Sequence, residues 1–319
     1  MGAPEVTVVV PTHDRAAGIP ALVAALASQT LAPERFEVVF VDDCSTDGTR
    51  DVLARLVRSF PAPVRLLHTP VNTGGPAAPR NIGWRAAEAP VIAFLDDDCL
   101  PAPPWLEEGL AVMQADEAVG VVQGRVEVPA GTDVKRLDRW CVWREVTAPS
   151  PWFECANIFY RRDALEHCGG FDESLVTWGE DTDLGWRVVR SGWGRGFAPA
   201  SVVVHAVEYR GWKNAARFGW RDAQLVALAA RYPEIRETGF WCRWAIHRQG
   251  AEFAAALLGA GLALRWRPAM VLALPYMYFR RPPLRQPGTV RIGLQTVAVD
   301  LVRLAGRLRG CAAARIFVV

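Results

Sequence analysis

Apolar positions along the first hundred residues alternate between two periods. Residues 6–10 form a short continuous apolar run, the pattern of a strand buried on both faces. Ile19, Leu22, Val23 and Leu26 then recur at helical spacing and make one apolar stripe. The cycle repeats with a strand over 36–41 and a helix marked by Val52, Leu53, Leu56, Val57 and Phe60. A weaker strand over 64–68, a helix opening near Pro76 and a strand over 89–95 follow. Strand and helix in this alternation predict an α/β domain with a parallel sheet flanked by helices, because parallel neighbours need crossover connections. In such sheets ligands bind beyond the carboxyl ends of the strands.

The residues just after the strands share one character. Pro11-Thr12-His13-Asp14-Arg15 follows the first, Asp42-Asp43-Cys44-Ser45-Thr46-Asp47-Gly48 the second, and Asp96-Asp97-Asp98 the fourth. Carboxylates converging from separate loops repel one another unless something neutralises them, and a divalent cation is the usual solution. Asp96 and Asp98 are two apart, so they point the same way if the extended conformation continues. Oxygen ligands of this kind suit Mg²⁺ or Mn²⁺ bridging to phosphate. Two plainer readings stand beside this one: turn chemistry and a helix N-cap for Asp42, Asp43 and Asp47, and a solvated turn for the triple Asp. No G-x-x-x-x-G-K-[ST] occurs, and the turn after Val10 lacks G-x-G-x-x-G. Gly74-Gly75 either brings backbone N–H groups to a phosphate or belongs to an ordinary loop.

Charge divides the chain. Of its 319 residues, 1–205 hold 18 Lys+Arg against 28 Asp+Glu, whereas 206–319 hold 18 against 6. An acidic front half can host a cation and what the cation carries, and a basic tail favours an anionic surface. Hydrophobic residues at 51% and charged residues at 22% exclude wholesale disorder and collagen-like repetition. The seven cysteines form no C-x-x-C pair, and the chain enters a strand without an apolar signal stretch. Both features predict a reducing, cytoplasmic location.

Six motifs occur in order: Pro11-Thr12-His13-Asp14; Val41-Asp42-Asp43 through Gly48-Thr49; Asn72-x-Gly74 with Ala78-x-Arg80-Asn81; Phe94-Leu95-Asp96-Asp97-Asp98; Gly169-Gly170-Phe171-Asp172-Glu173; and Gly179-Glu180-Asp181-Thr182-Asp183-Leu184. Together they resemble the inverting family 2 nucleotide-sugar glycosyltransferases, over roughly residues 5–205. The resemblance implies a GT-A fold: a Rossmann-like, mostly parallel sheet with flanking helices and a C-terminal helical extension. It implies a nucleotide-sugar half over about 1–100 and an acceptor half over about 101–205, while from 206 to 319 the residue pattern itself becomes helical, basic and Trp-rich. The first motif departs from the usual P-x-Y-N, Cys44 replaces a common Gly, and Pro79 interrupts a small-residue run.

Roles follow from the resemblance position by position. Pro11, Thr12 and Asp14 would border the donor, Asp43 would hold the base edge, with Asp42 supporting it, and Arg80 would lie near the base or phosphates. Asp97 would touch the ribose, while Asp98 with Asp96, and His205, would bind Mg²⁺ or Mn²⁺ on the diphosphate. Asp181 would be the general base, beside Glu180. Trp178 would stack on an acceptor sugar, and Cys155 and Asn157 would line the site. Inversion then needs a single displacement with one basic carboxylate. Simpler structural roles remain open: a capping box Thr177-x-x-Glu180 at a helix start, a core histidine at 205, and core packing for Trp178.

The tail carries two apolar stretches, 253–264 and 269–279, separated by Arg265-Trp266-Arg267-Pro268. Each is too short to span a hydrocarbon core, which takes ~20 residues. Three readings apply: a hairpin at the inner face of an anionic membrane, a buried helical subdomain, or an oligomer interface. No nucleic-acid recognition motif is present. The expected partners are a nucleotide-sugar donor and a carbohydrate, lipid-linked or small-molecule acceptor. A nucleotidyltransferase and a non-catalytic sugar-nucleotide binding protein are the competing functions.

Overall fold

The computed structural model describes residues 3–176, 179–280 and 289–318. The chain divides into two compact units, Met1–Leu137 with Val142–Glu208 and Asp138–Cys141 with Tyr209–Val319. The first opens with β1 (Val6–Thr12), α1 (Ile19–Ala27), β2 (Phe36–Asp42), α2 (Thr49–Leu56), β3 (Val64–His68), α3 (Ala77–Ala86) and β4 (Val91–Phe94). It continues with β5 (Cys99–Pro101), α4 (Trp105–Ala115), β6 (Val119–Glu127), a two-residue β7 (Cys141–Val142), β8 (Ile158–Arg161), α5 (Arg162–Cys168), α6 (Glu180–Arg190) and β9 (Gly194–His205).

One eight-stranded sheet runs β3-β2-β1-β4-β8-β6-β9-β5. The first four strands are parallel, as their alternation with helices requires. β6 and β9 form a further parallel pair, whereas β8 runs antiparallel to β4 and β6, and β5 antiparallel to β9. The antiparallel direction of β5 and β8 is set by the strands they pair with and leaves no trace in the local pattern. The sequence over 153–160 is strand-like, yet β8 takes only its second half, because Phe153 has a left-handed φ of 51° and 153–157 remains loop. β1 and β2 are buried along their whole lengths, which explains their unbroken apolar pattern. Leu22, Leu26, Phe36, Phe40, Trp105 and Phe159 share the core with them.

Register places the chemistry at one edge. Thr12 lies opposite Asp42, and Phe94 opposite Val9, so the loops after β1, β2 and β4 leave the sheet together. A second device joins the sheet edge to α6. Gly170, at φ 80°, sits where a Cβ would lie 2.5 Å from Asn81 Oδ1. This close approach lets Asn81 donate to the Phe171 carbonyl and accept from the Phe171 N–H, each at 2.9 Å. Arg187 completes the lock by donating to the Cys168 and Gly170 carbonyls while pairing with Asp183 at 2.7 Å.

The second unit is mainly helical among the described residues; the two-residue β10 (Glu208–Tyr209), which pairs with β7, falls at the boundary of the units. Its helices are α7 (Gly211–Trp220), α8 (Asp222–Arg231), α9 (Glu234–Thr238), α10 (Arg248–Leu262), α11 (Leu274–Arg280) and α12 (Thr289–Ala314), with a 3₁₀ segment at Arg267–Ala273. Glycines let α12 lie against its neighbours: a Cβ on Gly306 would meet the Gly219 carbonyl at 2.6 Å. No helix among the described residues is long and apolar enough to cross a membrane.

Gly170→Ala adds both an unfavourable φ and a steric conflict with Asn81. We expect a loss of ~1–3 kcal/mol in unfolding free energy, measured by urea denaturation, whereas alanine at the surface glycine Gly131 should cost less.

Candidate active site

Two short loops at the sheet edge fasten each other. Asp14, with a left-handed φ of 49°, accepts from the Thr46 N–H at 2.7 Å, and its own N–H donates to Ser45 Oγ at 2.9 Å. Asp47 accepts from the Ala16 and Thr49 N–H groups, so it caps the start of α2 from one position outside its Gly48 N-cap. Asp42 is buried and receives Arg50 at 3.4 Å. Asp43 is buried too, accepting from Thr69 Oγ1 at 2.7 Å, Thr73 Oγ1 at 2.9 Å and the Thr73 N–H at 3.0 Å. It thereby ties the 69–73 loop to the end of β2, and any base-edge contact requires exchange of one of these bonds. Pro11 and Thr12 are buried at the end of β1. Gly75 permits a close backbone approach, since a Cβ there would lie 1.7 Å from the Val176 carbonyl.

The triple Asp does not stay extended. The Cys99 N–H donates to the Asp96 carbonyl at 3.2 Å, so the chain turns at Asp97-Asp98. Asp96 pairs with Arg80 at 2.7 Å. Asp97 pairs with Arg15 at 3.1 Å, and burial together with the Asp98 charge pushes its pKa up to about 6 against the pull of Arg15. Asp98 lies 3.2 Å from Arg15 and 3.7 Å from His205 Nε2, and burial and the Asp96 charge raise its pKa as well. The extended conformation expected through Asp96 and Asp98 therefore stops where the turn begins, and the two carboxylates take different cationic partners while each still feels the other's charge.

Asp98 and His205 nevertheless present a ligand pair. His205 ends β9 opposite Cys99 in register, and its Nδ1 is 2.6 Å from the Ala206 carbonyl. A carbonyl only accepts, so Nδ1 carries a proton, and in the neutral ring Nε2 turns a lone pair towards the Asp98 carboxylate. Two acceptors 3.7 Å apart call for a proton or a cation between them, and both can reach a divalent ion at ~2.1 Å. Cys99 Sγ lies in the same group, but burial and the neighbouring carboxylates hold its thiol far above the ordinary range. The donor set is thus one carboxylate and one imidazole, which suits Mn²⁺ and accommodates Mg²⁺ through the carboxylate.

Arg80 connects this edge to α6. Its guanidinium is 4% exposed and donates to Asp96 and, at 2.6 Å, to Glu180, with the Phe171 ring 5.5 Å away. Glu180 is therefore an ion-pair partner rather than a cap: α6 starts from Gly179 at φ 94° with no side-chain cap. Asp181 stands next to it, half-buried, donated to by the Thr182 N–H at 2.7 Å. Burial and the Glu180 charge push its pKa well up, opposed by Arg80. Asn157 is a core residue, accepting from Trp105 at 2.7 Å and donating to the Arg125 and Ser201 carbonyls. Cys155 is buried beside Arg80 as a neutral thiol. Trp178 and Thr177 lie outside the described residues.

The sequence profile of glycosyl transferase family 2 matches residues 7–169, just over half the chain. The chain belongs to glycosyl transferase family 2. A second profile, glycosyl transferase family group 2, matches residues 91–280. This family 2 chain is 30% identical over 209 residues to glycosyltransferase AglE of Haloferax volcanii, a match covering 63% of the chain and 67% of AglE. It is 32% identical over 220 residues to validoxylamine A glucosyltransferase of Streptomyces hygroscopicus subsp. limoneus, covering 58% of the chain and 48% of that protein. It spans about half the length of this relative and of pre-mycofactocin glycosyltransferase from Mycobacterium tuberculosis. Among solved structures, mannosyltransferase PcManGT from Pyrobaculum calidifontis, in complex with GDP-Man and Mn²⁺, aligns at a TM-score of 0.63 and 22% identity over 97% of this chain and 88% of that one. Residues 1–349 of S. aureus TarS, in complex with UDP-GlcNAc, align at 0.58 and 20% identity over 96% and 92%. At these identities the likeness shows the GT-A fold.

One residue of this glycosyltransferase site escaped the motif reading. Arg15 joins Asp97, Asp98 and Glu208, the last at 2.5 Å, and so holds carboxylates from two distant segments. Its signal was a lone cation within a carboxylate-rich set of loops. Arg15→Met leaves these carboxylates facing one another. We expect a loss of ~1–3 kcal/mol at pH 7.5 by urea unfolding. Because the folded pKa values are raised, the deficit is present above them and shrinks towards pH 4.

Proposed function

We propose that this chain is an inverting glycosyltransferase that moves a sugar from a nucleoside-diphosphate sugar, UDP-linked, to an acceptor hydroxyl. The observation that carries the reading is Arg80: one buried guanidinium spans Asp96, beside the candidate metal ligands, and Glu180, beside the candidate base. These ion pairs draw Asp96 and Glu180 onto one guanidinium, although Glu180 stands 100 residues from Arg80 in sequence, and this supports reading them as parts of one site. Structural neighbours solved with UDP-GlcNAc and with GDP-Man and Mn²⁺ support the donor class and a divalent ion.

In this reading Asp181 is the base. A carboxylate whose pKa is pushed up by burial and by Glu180 is a stronger proton acceptor than an exposed one. Glu180 is committed to Arg80, which leaves one carboxylate for the acceptor proton and fits a single displacement. Asp98 and His205 would hold a divalent ion, which when bound supplies Lewis-acid neutralisation of the leaving diphosphate. Asp97 faces the ribose, and Asp43 shapes the base pocket through Thr69 and Thr73. Pro11, Thr12, Asp14 and Asp42 hold that pocket's floor and loops. Trp178 would stack on the acceptor. The basic C-terminal unit favours a lipid-linked acceptor at a membrane surface.

The tests separate the roles. Asp181→Asn should lower kcat roughly 10²–10⁴-fold with donor affinity kept, and the anomeric proton signals of donor and product should show opposite configurations. Unchanged turnover, or retention, overturns the assignment. His205→Ala and Asp98→Asn should each weaken Mn²⁺-dependent thermal stabilisation by UDP-sugars, tested alongside GDP- and dTDP-sugars, roughly tenfold or more in metal concentration. The rate requires ionised Asp181, so kcat rises with pH through its raised pKa. Glu180→Gln removes the charge that, together with burial, raises it and should move this acid limb to lower pH.

A further inference from the structure

Between residues 253 and 299 the chain has six arginines and neither Asp nor Glu. In the structure the first part of this stretch is a hairpin, with α10 folded back on the 3₁₀ segment and α11. Gly259 makes the approach possible, since a Cβ there would meet the Ala269 carbonyl at 2.7 Å, and the rings of Phe253 and Tyr276 pack at 4.9 Å. The carboxylates that border the stretch are both engaged: Glu252 with Arg248 at 2.8 Å, and Asp300 with Arg280 at 2.7 Å and the Tyr276 hydroxyl at 2.9 Å. Both bordering carboxylates are thus held by arginines, and the stretch between them has no carboxylate to offer outward.

Its outer side is apolar. Leu258, Leu264, Trp266, Val271, Leu274 and Met277 are each more than half exposed, Leu264 at 88%. A contiguous sequence of exposed large apolar groups on this scale marks an interaction surface. At the hairpin tip Trp266 stands between Arg265 and Arg267, all three exposed. Arginine beside an interfacial tryptophan, above leucines, matches the layering of a lipid headgroup region, where guanidinium meets phosphate and apolar groups enter the acyl boundary. The helices are too short to span, α10 having 15 residues and α11 seven, so such a hairpin lies in the interface plane. A second copy is a poorer occupant. A two-fold contact would set arginines against arginines with no carboxylate in this stretch to separate them.

We propose that the outer side of this hairpin docks peripherally on an anionic phospholipid membrane. The inference deepens the acceptor side of the proposed function, on which it rests only for its purpose, a lipid-linked acceptor.

The test is co-sedimentation of the full chain with sucrose-loaded vesicles, of phosphatidylcholine alone or with about a third phosphatidylglycerol. We expect binding to the anionic vesicles, loss of most of it at about 0.5 M salt, and at least tenfold weaker partition for Leu264→Glu. The double variant Arg265→Gln/Arg267→Gln should lose about fivefold per arginine. All these positions are exposed, so thermal stability and donor binding should not change, which separates loss of docking from misfolding. Absence of vesicle binding, or equal binding to neutral and anionic vesicles, overturns the proposal. So does a dimer in sedimentation that Leu264→Glu dissociates without any vesicle binding. Donor turnover with no vesicle binding refutes this inference alone, whereas vesicle binding with no turnover refutes the catalytic reading alone.

Discussion

A guanidinium buried between two carboxylates is the constraint from which the site's geometry follows. Removing Arg80 from water costs several kcal/mol, and only close, well-aligned partners offset that. Asp96 at 2.7 Å and Glu180 at 2.6 Å supply them. Either carboxylate moved away would leave a charge in a low-dielectric interior, so the end of the β4 loop and the start of α6 are held in one relation. Asn81, one residue on, holds the 170–173 turn that leads to α6. A single turn of α3 thus sets the spacing between two segments from opposite ends of the catalytic unit.

Crowding then divides the acidic groups among two cations. Arg80 takes Asp96 and Glu180, and Arg15 takes Asp97, Asp98 and Glu208. Two of the acidic groups have raised pKa values that bear on the proposed transfer. Asp181 has burial and the Glu180 charge against it, with Arg80 only partly compensating. Asp98 faces the lone pair of His205 across 3.7 Å. Carboxylates perturbed in this way cluster at functional sites, which is the physical ground for the transfer proposed above.

The second unit balances charge in another way. Its carboxylates Asp222 and Asp300 are ion-paired with Arg307 and Arg280, which closes the interior while arginines and apolar side chains remain outside. The exposed leucines of the hairpin have no counterpart in the first unit's sheet core, where β1 and β2 are fully covered.

Local pattern was enough for β1 to β4, the helices between them and the hairpin's two apolar stretches, because buried strands and helix stripes write their periods directly into neighbouring residues. The order of the acidic motifs likewise put the chemistry at the sheet edge before any coordinates. Four things needed the tertiary fold: the antiparallel β5 and β8, the turn that separates Asp96 from Asp98, the pairing of residue 80 with residue 180, and the part played by Arg15. Each depends on which distant segment lies next to which, and charge pairing over 100 residues leaves no period along the chain. Composition names the ions present; only packing decides which of them meet.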